Sequence, residues 1–293
     1  MIPEIQIGLW GPRDSGKTTF LAMLYHECLR REGWSIEPRG DSLGFIKGMH
    51  RMLFEEGRFP DPTPIGATKF YEFYVTPPKR GILPGRSSRT FILSFPDAGG
   101  EWYERYEVIK AQHSDEANPI QFLAKCHGLL LLVDPNRYSP GRHGRNRLPG
   151  ADEEDQRLRS YFEMLLDLTS ELKQSRSEPG SIEKYAAIVL TKVDMLGNWE
   201  RRDHPDRFIR DVLTLDELRI LESAFPKDHL RYFASSAVGM YQDKDGKMRS
   251  NCEESSDREG KQKYQIVSPY EIQPFNVFEP LEWLIEMLSR SLR

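Results

Sequence analysis

The sequence predicts an α/β fold, a three-layer sandwich with helices on both faces of a mostly parallel sheet. Three observations predict it. Short apolar runs alternate with segments of helical spacing from Ile5 onward, as crossover connections in a parallel sheet require. The run Gly128-Leu129-Leu130-Leu131-Leu132-Val133 has no polar face, which suits a central strand covered on both sides. Finally, Gly11-Pro12-Arg13-Asp14-Ser15-Gly16-Lys17-Thr18 stands between an apolar run and a helical one. Strand, glycine loop and helix in that order make a phosphate-binding P-loop.

The elements follow in order. Ile5 to Trp10 is short and apolar enough for a buried strand, and residues 17–31 read as the first helix. A second helix is expected from Asp41 to Phe59, where Leu43, Ile46, Met49, Leu53 and Phe54 approximate helical spacing and Asp41 or Ser42 can cap. Phe59-Pro60-Asp61-Pro62-Thr63-Pro64 forbids regular structure. Lys69 to Thr76 and Thr90 to Phe95 predict two strands, an antiparallel pair at the sheet edge, joined by the basic turn Pro77 to Ser88. Pro96-Asp97-Ala98-Gly99-Gly100-Glu101 ends the second, and a helical segment with Trp102, Tyr103, Tyr106 and Ile109 follows. Beyond the central strand, residues 136–150 form a loop with Arg137, Arg142, Arg145 and Arg147. The acidic residues 151–155 then open a long helix to about Lys173, carboxylates being favourable at helix N-termini. Ala186 to Leu190 is a buried strand, residues 203–224 are helical, and Tyr232-Phe233-Ala234 is the last core strand. The polar residues 241–266 predict an excursion or a small hairpin. Asn276 to Leu292 closes the chain as a helix, with Val277, Leu281, Leu284, Ile285 and Leu288 as its buried stripe.

Composition narrows the classes. The 293 residues can bury a sizeable core. Charge nearly balances, 41 basic against 45 acidic, which argues against a dedicated nucleic-acid binder. Cys28, Cys126 and Cys252 lie far apart without metal-ligand spacing and fit reduced thiols in a cytosolic protein. The seven histidines show no H-E-x-x-H or similar pairing. A strand begins almost at once, which leaves no room for a signal peptide, and Leu129 to Val133 is far too short to cross a bilayer. The expectation is a cytoplasmic protein without a transmembrane segment.

Four motifs carry chemistry, each at the C-terminal end of a strand, the edge where open α/β sheets bind ligands. In the first, Gly11 and Gly16 allow a tight turn whose N–H groups face phosphate oxygens. Lys17 supplies a charge for the β- and γ-phosphates, the Thr18 hydroxyl is a magnesium ligand, and Ser15 and Thr19 complete the loop. In the second, Asp97-Ala98-Gly99-Gly100 is a D-x-x-G whose carboxylate can hold magnesium through water and whose Gly100 N–H can meet a γ-phosphate. In the third, Thr191-Lys192-Val193-Asp194 is a T-K-x-D variant of the guanine-reading N-K-x-D. A carboxylate accepts the two donors of guanine, N1–H and N2–H₂, which adenine cannot supply. Threonine in place of asparagine removes an amide that braces this loop, so a looser guanine pocket is expected. In the fourth, Ser235-Ser236-Ala237 follows the last core strand, as does the loop whose backbone N–H meets guanine O6.

Together these residues resemble the translation-factor-related class of P-loop GTPases, which includes Ras-like proteins. The resemblance runs from Ile5 to about Ala237 and takes in the closing helix. Leu9-Trp10-Gly11, the Pro62-Thr63 region, Asp97 to Glu101 and Glu279-Pro280-Leu281 look most like the bacterial double-GTPase type. The resemblance implies a P-loop NTPase sandwich with one antiparallel edge strand. It also implies a single GTPase domain over 1–293, with insertions near 32–62, 136–155 and 241–270. It implies a guanine nucleotide, GTP or GDP, with magnesium, and a protein effector or activating partner. Its switch I threonine is Thr63, with Thr68 second and Thr76 too late. Two departures from Ras-like proteins matter. Arg13 and Asp14 replace loop glycines, and Glu101 stands where many members carry a water-positioning glutamine. Glu101 reads equally well as a helix-start carboxylate. Asp14 stands where potassium-activated members carry Asn or Asp, which adds K⁺ as a candidate cofactor against a plain loop-capping role. The leading expectation is a slow GTPase switch. The alternatives are a non-hydrolysing nucleotide-dependent scaffold and a P-loop ATPase.

Overall fold

Strand β1 (Ile5–Trp10) lies at the middle of a seven-stranded sheet in a computed structural model of the chain. The structure describes residues 4–12, 15–60, 68–78, 89–98, 119–136, 164–174, 183–195, 197–256 and 262–291. After β1 come α1 (Lys17–Arg30), β2 (Ser35–Arg39), α2 (Ser42–His50), β3 (Thr68–Thr76), β4 (Phe91–Ala98), α3 (Pro119–Lys125) and β5 (Gly128–Val133). Helix α4 (164–174), β6 (Tyr185–Leu190), α5 (Pro205–Val212), α6 (Leu215–Ala224) and β7 (Leu230–Ala234) complete the sandwich. Two small hairpins follow, β8 (Met240–Gln242) with β9 (Met248–Ser250) and β10 (Cys252–Ser256) with β11 (Gln262–Ile266), before α7 (Glu279–Ser291).

The sheet order is β2-β3-β4-β1-β5-β6-β7. β4, β1, β5, β6 and β7 are mutually parallel, and β3 runs antiparallel to both its neighbours. The central run behaves as its composition demands. Leu130 and Leu132 join a core with α1, α2 and α7, while Leu129, Leu131 and Val133 join a second core with α3 to α6.

Three details differ from the sequence reading. The antiparallel strand is one place in from the edge, because Ser35–Arg39 forms the outermost strand. Only Ile36 of that strand is buried, so its hydrophobic signal is weak, and Pro38 is tolerated because an edge strand has a side without a ladder. The helix expected over 41–59 ends regular α geometry at His50 and winds once more, wider, through Arg51–Glu55. The segment 203–224 is two helices, parted where Thr214 is extended and caps α6 reciprocally with Glu217.

Candidate functional site: a phosphate loop tied to the loop after the sixth strand

The site grows from the C-terminal ends of β1, β5, β6 and β7, which the parallel order sets side by side. At β1 the chain turns through Gly11, where an added Cβ would stand 2.6 Å from Ser15 Oγ and 2.9 Å from Leu132. Gly16 has φ 83°, a left-handed conformation that L side chains resist, and it is the N-cap of α1. No side chain caps α1, and its first turn holds no carboxylate. Its leading N–H groups and positive end therefore face the loop, the arrangement that binds anions. Lys17 Nζ donates to the Pro12 carbonyl at 2.8 Å, which folds the lysine back across the loop. Ser15 N–H donates to the same carbonyl at 3.2 Å. Thr19 is buried and Thr18 half-buried at the head of the helix. The Ser15 hydroxyl is fully buried and has no hydrogen-bond partner among the described residues.

Each polar residue of Thr191-Lys192-Val193-Asp194 grips a different element. Thr191 Oγ1 lies 2.8 Å from the Ser15 carbonyl and 3.2 Å from the Val133 carbonyl, and its hydroxyl donates between them. The brace expected to go with the missing asparagine is therefore still made. A buried hydroxyl braces the phosphate loop from β6 instead. Lys192 has φ 53° and reaches Asp134 Oδ2 at 2.7 Å. Its stem passes over the phosphate loop, since a Cβ on Gly16 would lie 3.7 Å from Lys192 Cε. Asp134 is held in turn by Asn136 N–H at 2.9 Å on Oδ1.

Asp194 is 7% exposed. Ser236 Oγ donates to its Oδ1 at 2.6 Å, and Ser250 Oγ donates to its Oδ2 at 2.7 Å. Burial pushes its pKa above the ordinary carboxylate value. The two serines, its own backbone amide and the Lys192 charge oppose that rise. Ser235 N–H donates to the Leu190 carbonyl at 2.7 Å, which locks β7 beside β6, and the Ser235 hydroxyl is buried without a partner among the described residues. Ala237 packs against the first core.

The structure thus brings Gly11, Ser15, Gly16, Lys17, Thr18 and Thr19 together with Thr191, Lys192, Asp194, Ser235, Ser236 and Ala237. Arg13, Asp14, Thr63, Gly100 and Glu101 lie outside the described residues, and for Thr68 and Asp97 the description stops at the backbone. Register places Thr68 opposite Ala98 and Lys69 opposite Asp97, at the same sheet edge as the phosphate loop. Thr76 sits at the other end of β3, opposite Ser35. Among the described residues no cluster of three His, Cys, Asp or Glu could hold a metal. Thr18 fits a hard cation all the same, because magnesium at phosphate sites takes one or two protein oxygens and completes its shell from phosphate and water.

Two residues escaped the sequence reading. Asp134 had a signal, being the carboxylate that ends the central strand. Ser250 had none, since it stands 56 residues from Asp194 inside a polar stretch.

A phosphate loop after β1, a buried carboxylate after β6 and a serine loop after β7 are the parts of a P-loop GTPase. Residues 5–225 match the family model described as Double-GTPase 2, and the chain belongs to that family. Among solved structures it is similar to the bacterial selenocysteine-specific elongation factor EF-Sec, at 16% identity and a TM-score of 0.39, over 100% of this chain and 30% of that one. It is also similar to the small GTPase Arl6 from Trypanosoma brucei, at 12% identity and 0.39, over 99% of each chain. The GTPase-like domain of Ski7 from S. cerevisiae matches at 13% identity and 0.41, over 83% of this chain and 45% of that one. No curated protein matches the sequence.

No helix among the described residues is long and apolar enough to cross a membrane.

Proposed function

We propose that the protein is a GTP-dependent switch that binds GTP with magnesium and hydrolyses it slowly to GDP and phosphate. One observation carries the reading. The buried carboxylate of Asp194 and the phosphate loop are parts of one hydrogen-bonded unit, joined through Thr191 to Ser15. A nucleotide gripped at both ends fits that unit, and guanine is the base that offers two donors to a carboxylate. ATP suits it poorly, because adenine would leave Asp194 without donors.

The residues divide the work. Lys17 and the α1 amides hold the β- and γ-phosphates, and Lys192 lies along the base with its ammonium on Asp134. Thr18, with Thr63 or Thr68 and the Asp97 carboxylate through water, would hold magnesium, which when bound neutralises charge on the transferring phosphoryl group. Gly100 N–H would meet the γ-phosphate, and Glu101 is the candidate beside the attacking water. A carboxylate is repelled by the polyanion, so intrinsic hydrolysis is slow and a partner protein accelerates it.

The test begins with the nucleotide that co-purifies with the protein, read by chromatography after denaturation, followed by competition of GTP against ATP. Guanine nucleotide, lost in Lys17→Ala, is expected. Adenine nucleotide, or unchanged GTP affinity in Lys17→Ala, overturns the reading. Single-turnover phosphate release then separates a GTPase from a scaffold that only binds.

A further inference from the structure

The polar excursion after β7 ends on the carboxylate that the proposed function assigns to the base. Ser250 closes the β8–β9 hairpin and donates to Asp194 Oδ2 at 2.7 Å. Its own position is built from several sides. Asp243 forms the hairpin turn, accepting from Asp245 N–H at 3.0 Å and Lys247 N–H at 2.9 Å while pairing with Arg249. The next residue, Asn251, is fully buried. Its backbone N–H donates to the Gly239 carbonyl at 3.0 Å, and its side chain both donates to the Ser268 carbonyl at 3.0 Å and accepts Ser268 N–H at 2.7 Å. Gly239 N–H in turn donates to Ser236 Oγ at 2.8 Å. Cys252 N–H donates to Ser250 Oγ at 3.1 Å, which leaves the serine proton for Asp194.

The result is a closed circuit. It runs from Asp194 to Ser236, through Gly239 to Asn251, along the chain to Ser250 and back to Asp194. A carboxylate has about two acceptor sites on each oxygen. The two serines take one site on each oxygen and the Asp194 backbone amide leans on the carboxylate as well, so acceptor capacity remains for a guanine donor.

We infer that Ser250 is a positioning residue for guanine recognition: with Ser236 it fixes the Asp194 carboxylate from both sides and so couples placement of the β8–β9 hairpin to base selectivity. The inference rests on Asp194 being the base reader. It also has a consequence for pH. Burial already pushes the Asp194 pKa up and the Ser250 bond pulls it down, so loss of that bond raises it further. A protonated Asp194 presents a donor to guanine, so selectivity in the variant falls as pH falls. The other ionisable groups beside it are Lys192 and Cys252. Lys192 is paired with Asp134, and burial holds the Cys252 thiol neutral with a pKa pushed up to about 12.

The experiment measures GTP and ATP dissociation constants by competition at pH 7.5 and pH 6.0. It uses the full chain as parent, Ser250→Ala, Ser250→Thr and Asp194→Asn. Ser250→Ala should lose about tenfold of the GTP-over-ATP preference, the scale of one hydrogen bond to a charged group. Any change of that loss with pH should be a deepening as pH falls, ATP affinity should hold, and Ser250→Thr should restore the parent values. Parent-like selectivity in Ser250→Ala at both pH values overturns the inference, as does equal weakening of GTP and ATP. Unchanged selectivity in Asp194→Asn is a separate result, which removes the guanine reading and this inference with it.

Discussion

Asp194→Asn changes one atom, and its consequences can be worked out from the neighbours. Both carboxylate oxygens accept serine hydroxyls, at 2.6 and 2.7 Å. The amide keeps one acceptor and turns the other position into a donor. The serine facing the new N–H can accept it on the lone pair left beside its bond from Gly239 or Cys252, but its own hydroxyl then has no oxygen of residue 194 to donate to. One hydroxyl therefore loses its acceptor, at a cost of about 1–3 kcal/mol. Opposing this, a neutral amide removes a buried charge whose pKa is already raised, so the net loss of stability should be only about 1 kcal/mol. Nucleotide binding has no such offset. Guanine loses one charge-assisted bond and meets a donor with its own donor, together about 2–4 kcal/mol, or about 30- to 1000-fold in affinity. Xanthosine triphosphate, with a 2-oxo group in place of the amine, should gain. Competition titrations with GTP, xanthosine triphosphate and ATP, run beside a thermal melt, read both effects. An unchanged order of preference would take Asp194 out of the base site. A collapse of the melting temperature with affinities in the parent order would make its role structural.

Two further substitutions test the surroundings. Thr191→Val keeps the shape but leaves the Ser15 carbonyl without its brace, so we expect about 1–3 kcal/mol lower stability in denaturant melts. GTP and ATP should weaken by similar factors, since both use the phosphate loop, and a change in GTP alone would contradict this account. Thr214→Ala removes the reciprocal cap of α6 and should cost about 1 kcal/mol by the same melt, with nucleotide binding untouched.

The sequence carried the sandwich because burial on both faces leaves a composition signal. Gly128–Val133 and Tyr185–Leu190 are buried at every position and read as apolar throughout. It carried the phosphate loop because that chemistry is local, with all its residues inside eight positions. Ser35–Arg39 was invisible because an edge strand with one buried residue has no periodicity to find. The break at Thr214 was legible in principle, since Thr214-Leu215-Asp216-Glu217 is a capping box, but the apolar spacing ran across it. The brace on the phosphate loop was misjudged because a motif comparison sees a lost amide and not the hydroxyl beside Ser15. Ser250 could not be found locally at all, because its role depends on how a hairpin folds back over 56 residues.

The same geometry explains why four residues after β6 can coordinate a site drawn from the whole sheet edge. Parallel strands place the ends of β1, β5, β6 and β7 within side-chain reach, and β6 lies between β5 and β7. From there Thr191 reaches the β1 loop, Lys192 reaches Asp134 after β5 across Gly16, and Asp194 reaches Ser236 after β7 and Ser250 beyond it. Lys192 stands in the left-handed region, so neighbouring side chains of this short segment leave in different directions. Strain of this kind persists where surrounding bonds over-determine it, and here the Asp134 pair and the backbone bond from Val193 N–H to the Ser235 carbonyl flank it. A nucleotide that touched the phosphate loop and Asp194 together would therefore press on both ends of one tetrapeptide. Its binding energy would be shared between the β1 loop and the β8–β9 hairpin.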